Sequence, residues 1–221
     1  MDNSVLKTLI NPDKFFQERI NEPESLKIPA LIVLVSAIIG AAAAYLMVTP
    51  TVKLMGSMLA GMEIVIILAA VIATFVITFV SWLVFTGIFF VLSTLFKGKG
   101  TFNRTMEIVG YGFLPQIIGG IITAIVALEY IPKVMVQSIP AGTTDSQVIL
   151  DATTNLMRDP AMVAFTQITT LISIVFLLWS ANVWIFGIQH SRRLSMRDAA
   201  LCVGIPVVLY IIYTIYKLGA M

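Results

Sequence analysis

Few side chains in this chain of 221 residues could do chemistry, and they do not gather. There is one histidine, His190, and one cysteine, Cys202, which lies inside an apolar run. A single cysteine builds neither a disulfide framework nor a thiolate metal cluster within one chain, and reads as a small buried apolar residue. His190 stands beside Gln189 and one short stretch after Asn182, so a polar site can be drawn there. A lone histidine at the edge of an apolar run reads first as solvated, and Asn182 as a partner in a hydrogen bond between helices. The phosphate-cradling GxxxxGK[ST], the zinc-binding HExxH and the nucleophile turn GxSxG are all absent. No Lys, Arg or Asp stands deep within the long apolar runs, and Glu63 lies at the end of one. Proton- and ion-coupled transporters usually keep an ionisable group in the membrane, so a coupled pump is disfavoured. No catalytic residues, cofactor or metal are expected.

What remains is polar and uncharged. Thr74 and Thr78, with Ser81, share one face at helical spacing; Gln116 follows Pro115; and Asn182 sits between Trp179 and Trp184. These residues suit close packing through interhelical hydrogen bonds. They also suit a small-solute channel or permease, because transporters build sites where broken helices meet a polar stripe. Helix association is the leading reading and the permease the alternative.

The elements that would position these side chains follow from composition. The chain is 58% hydrophobic and 12% charged, outside the range of soluble domains. The fold class expected is all-α: a polytopic membrane helix bundle with five transmembrane helices and an N-terminal amphipathic interfacial helix. Residues 1–27 form a leader with four basic and five acidic side chains. Within it Asn11 caps a helix that Pro12 begins, and Phe15, Phe16 and Ile20 share its apolar side. A membrane domain over 28–217 follows, with spans near 28–49, 63–96, 106–128, 161–188 and 199–217. Thr49 to Gly56 reads as a polar hinge. Residues 129–160 form the longest polar segment, with a short helix from Asp145 to Met157. Ser195 and Asp198 make a capping-box-like start to the last span. The run from 63 to 96 is too short for two crossings and a turn, since one helix of that length is ~50 Å long.

Charge sets the orientation. With the N-terminus cytoplasmic, ten of the fourteen basic residues fall inside, and Lys53, Lys133, Arg158 and Lys217 fall outside. Segment 129–160 is then extracytoplasmic. Lys97, Lys99 and Arg104, and Arg192, Arg193 and Arg197, form two cytoplasmic basic loops, expected to meet anionic lipid headgroups at ~1 kcal/mol per base. Nothing in either loop suggests nucleic acid.

One stretch is distinctive: Gly110-Tyr111-Gly112-Phe113-Leu114-Pro115, entering the third span behind Lys97-Gly98-Lys99-Gly100. Its glycines and proline predict a kinked or broken helix near one surface, with Tyr111 reaching the interface. With the Asn11-Pro12 leader, the five spans and the Ser195-Met196-Arg197-Asp198 start of the last, it resembles the YIP family of Ypt/Rab-interacting membrane proteins. The resemblance covers nearly the whole chain and is most specific at Gly110-Tyr111 and Pro115, which match a Gly-Tyr-x-x-x-Pro pattern. It implies a non-enzymatic membrane protein, acting by helix association, lipid contact or partner binding in membrane organisation or trafficking. A homo-oligomer and a membrane or GTPase-type protein partner belong to that expectation. Eukaryotic relatives carry a long acidic cytoplasmic region and an Asp-Leu-Tyr-Gly-Pro motif; this chain has neither, and is similar to short prokaryotic members of the plasma membrane.

Overall fold

The computed structural model describes residues 3–59, 61–140 and 142–219. Two short helices, α1 (Asn3–Ile10) and α2 (Pro12–Arg19), precede a long α3 (Lys27–Met55). Then come α4 (Glu63–Leu95), α5 (Phe102–Tyr111), α6 (Leu114–Tyr130), α7 (Ser146–Arg158), α8 (Pro160–Arg192) and α9 (Met196–Gly219). Among the described residues there are no strands. Five helical stretches are long and apolar enough to cross a membrane: α3, α4, α5 with α6, α8 and α9.

The local signals explain most boundaries. The Asn11 side chain accepts from the Lys14 amide, and Pro12 takes the first helical position, where no donor is missed. Asp145 caps α7 through the Gln147 amide, and Asp159 caps α8 through the amides of Ala161 and Met162. The Asp198 amide donates to Ser195 Oγ at 3.1 Å, opening α9. The expected hinge at 49–56 is instead the end of α3, which runs through Pro50. A proline removes one donor and leaves one carbonyl to satisfy, which a long helix tolerates. The turn comes at Gly56, whose φ of +42° favours glycine.

The α4 and α8 runs are each one continuous helix of 33 residues, ~50 Å at 1.5 Å per residue. The third apolar run is two helices rather than one kinked helix. The bundle packs α3 against α4 and α6, and α8 against α6 and α9, with α5 wedged among α3, α4 and α8.

The leader uses the apolar side of its second helix within the bundle. It is helical, and Phe16 is fully buried and Phe15 nearly so, within the main apolar core. The apolar side of α2 faces the bundle and packs on α8. Burying two phenylalanines against protein satisfies the same area that a bilayer surface would have covered.

Candidate functional site

The chain's distinctive stretch lies where four parts of the molecule converge. At its centre is the junction of α5 and α6. The Phe113 amide bonds the Gly110 carbonyl at 3.2 Å, and so no longer serves Val109. Val109 O instead accepts from the Gly112 amide at 3.1 Å and from the indole of Trp184 at 2.9 Å. Pro115, in the first turn of α6, has no donor for the Tyr111 carbonyl. One turn earlier, Trp82 of α4 gives its indole N–H to Met106 O at 2.8 Å.

The glycines of the motif are there for approach. A Cβ on Gly112 would stand 1.8 Å from Trp184 Nε1, and one on Gly110 would stand 2.5 Å from Pro29 Cβ at the start of α3. From the other side, a Cβ on Gly187 would meet Ile108 at 2.0 Å. Close approach of helices through small residues is how membrane bundles gain packing. Tyr111 does not reach the interface: it is 3% exposed, with its ring edge-on to Phe15 at 5.0 Å. The motif is therefore the seat of the leader as well as the break in the third apolar run.

Charge closes the same seat. Glu107 of α5 is wholly buried and sits between two guanidinium groups. Arg19 Nε donates to Oε1 at 2.7 Å, and Arg104 Nη1 donates to Oε2 at 2.8 Å. Arg104 also donates to the Glu22 carbonyl at 2.5 Å, so it clamps the chain that joins the leader to α3. Burial works against the charge of Arg19, yet Glu107 and, more weakly, Glu22 hold its guanidinium above the ordinary range. Such a network is stable only while every member is paired. Two outer ties complete the docking. His190 Nε2 lies 2.7 Å from Asp13 Oδ1, and Trp179 Nε1 donates to Leu9 O at 3.3 Å.

A second fastening lies at the same end of the bundle. Arg192, 2% exposed, closes α8 and reaches into the α4–α5 loop. Its Nε donates to Ser93 Oγ at 2.8 Å and its Nη2 to Gly98 O and Thr94 Oγ1, each at 3.2 Å. Its Nη1 donates to Gly100 O, and the guanidinium lies 4.3 Å over the Phe90 ring. A fork of donors and a stacking plane is what arginine offers and lysine does not.

Arg104 and Arg192 are thus not solvent-facing members of basic loops. Both lie inside, because oxygens far away in sequence close over them: Glu22 O on Arg104, and Ser93 Oγ, Gly98 O and Gly100 O on Arg192. Lys97, Lys99, Arg193 and Arg197 remain exposed. Of the uncharged polar residues, Thr74 and Thr78 bond carbonyls of their own helix, Ala70 O and Thr74 O, at 2.9 Å each. Gln116 donates to Ser180 Oγ at 3.1 Å, joining α6 to α8. Asn182 is exposed on the outer side of α8, not deep between helices. Gln116 and Asn182 therefore share no contact, because Ser180 presents the inner face of α8 and Asn182 the outer. Cys202 is fully buried.

Sequence reasoning gave Glu107 no role, although Arg104 and Glu107 stand three apart on one helix, a spacing that pairs side chains. Nothing local pointed to Arg19, Ser93 or the two indoles. Among the described residues no cluster of His, Cys, Asp and Glu could hold a metal ion.

Comparison with known proteins agrees with this architecture. The family model described as the Yip1 domain matches residues 6–217. An uncharacterized protein of the archaeon Methanocaldococcus jannaschii is 36% identical over 124 residues, which is 56% of this chain and 88% of the relative. No solved structure matches the chain.

Proposed function

Since the chain belongs to the Yip1 domain family, we propose that it is a non-catalytic multi-pass membrane protein. It works by association of its helices, with a second copy or with a membrane protein partner, and thereby organises the bilayer. The observation that carries this reading is the use made of the buried and partly buried charges. Arg19, Arg104, Glu107 and Arg192 are all engaged in holding the leader and the loops in place. A charge kept for substrate or proton would need a free coordination position. The surfaces left for function are then apolar helix faces and exposed cations. On α4, Ile72, Val76, Val80, Leu83 and Val91 face outward.

The basic end of the bundle faces the cytoplasm, on the balance of ten basic residues against four. The archaeal relative supports a prokaryotic plasma membrane as the setting. A GTPase-type partner has less support, because Phe15, Phe16 and Arg19 of the leader are taken up by the bundle.

The test is energy transfer between differently labelled copies in liposomes, together with crosslinking in native membranes. Association that survives dilution with lipid, or one recurrent membrane partner, is expected. Monomers only, with nothing crosslinked, would overturn the reading.

A further inference from the structure

We infer that the α4–α5 and α8–α9 loops form a single surface, fastened by Arg192, that binds the headgroup of an anionic phospholipid. The inference rests on the proposed function only for its membrane setting. Two loops almost a hundred residues apart are joined from both directions. The Arg192 side chain takes Ser93, Gly98 and Gly100, and the Lys99 amide returns a bond to Arg192 O at 2.8 Å. Lys97 and Lys99 on one loop are thereby held beside Arg193 on the other, with Arg197 in the first turn of α9.

The charge of this surface is one-sided. Every side-chain hydrogen bond of Arg192 goes to a neutral oxygen, so no carboxylate cancels its charge. With Lys97, Lys99, Arg193 and Arg197 that makes five cations. Carboxylates near the loops are already engaged: Asp198 accepts from the Ser195 hydroxyl at 2.8 Å, Glu24 from the Thr101 hydroxyl at 2.5 Å, and Asp13 lies 2.7 Å from His190. Exposed apolar side chains flank the cations at the helix ends: Leu95 and Phe102 on either side of one loop, Met196 after the other. Cations flanked by exposed apolar residues, at the ends of apolar helices, fit the boundary of headgroup and acyl chain. A soluble acidic partner would leave Leu95, Phe102 and Met196 unmatched.

The experiment places one copy of the full chain per nanodisc of phosphatidylcholine and phosphatidylglycerol, and reads retained lipid by native mass spectrometry. Preferential retention of phosphatidylglycerol is expected. Lys97→Gln with Lys99→Gln, and separately Arg193→Gln with Arg197→Gln, should each lower that preference by about fivefold or more. The quadruple variant should fall little further, since either pair breaks the same ion pairing. These four residues are exposed, so folding is not at stake. Arg192→Gln should lower the preference although its side chain is buried. Equal retention of both lipids by the parent protein would sink the inference. So would losses of the two pairs that simply multiply, full preference in a folded Arg192→Gln variant, or displacement of the lipid by inorganic phosphate. One copy per disc keeps the result independent of self-association.

Discussion

The indole of Trp184 occupies the space that a side chain on residue 112 would need, 1.8 Å from an ideal Cβ on Gly112. That relationship joins α8 to the α5–α6 break and lets the indole reach Val109 O. Gly112→Ala should therefore destabilise the protein, by about 1–3 kcal/mol or more, through forced displacement of a well-packed ring. Gly87→Ala and Gly204→Ala are the contrast, since nothing lies within 4 Å of either Cβ. Both should be neutral or stabilising, by at most about 1 kcal/mol. Thermal unfolding of the three variants in one detergent decides it; equal effects would remove the steric account.

Glu107→Gln leaves the buried Arg104 and the partly buried Arg19 facing a neutral amide. Breaking a buried ionic network from one side costs about 3–5 kcal/mol. The leader should loosen before the bundle does, and limited proteolysis between residues 11 and 26 measures that. Glu129→Gln, which breaks the exposed pair with Lys133, should leave the cleavage rate unchanged. Cleavage at the parental rate in Glu107→Gln would show that the phenylalanines alone hold the leader.

Tyr111→Ala removes the ring against which Phe15 and Phe16 rest. A cavity of that size costs about 3–5 kcal/mol in a packed core. Tyr111→Phe keeps the ring and should cost within about 1.5 kcal/mol. If both substitutions proved equally harmful, the hydroxyl rather than the packing would carry the motif.

Arg192→Lys preserves the charge and loses the fork. The α4–α5 loop should open, because one ammonium cannot reach Ser93, Gly98 and Gly100 together. Hydrogen exchange reads this directly. The amide of Lys99, bonded to Arg192 O, should exchange faster, while amides in the middle of α8 keep their protection. Unchanged exchange at Lys99 would show that the loop holds itself.

The spans were legible in the sequence because hydropathy over twenty residues is a local property, and so were the helix starts at Asn11 and Ser195. The site was only partly legible. The motif's glycines and proline announced a break in the third run, but not that Pro29 and Trp184 pack where side chains on those glycines would stand. Arg104 and Arg192 read as loop cations because their partners, Glu22 O and Ser93 Oγ, lie 82 and 99 residues away. Asn182 was placed inside on polarity alone; the face a helix turns inward depends on what packs there, and Ser180 holds that face. The seating of Phe15 and Phe16 was illegible for a related reason. An amphipathic helix shows that it needs an apolar surface, and a bilayer and a bundle offer the same one.

The docking of the leader also orders the making of the molecule. Its partners stand far downstream: Arg19 awaits Glu107, Leu9 awaits Trp179, and Asp13 awaits His190, 177 residues later. The leader thus leaves the ribosome well before the partners that seat it. Until α8 is complete, Phe15 and Phe16 have no finished pocket and must rest on lipid or on a chaperone. A nascent chain halted before α8 should keep its N-terminal helices open to protease, and release past residue 192 should close them.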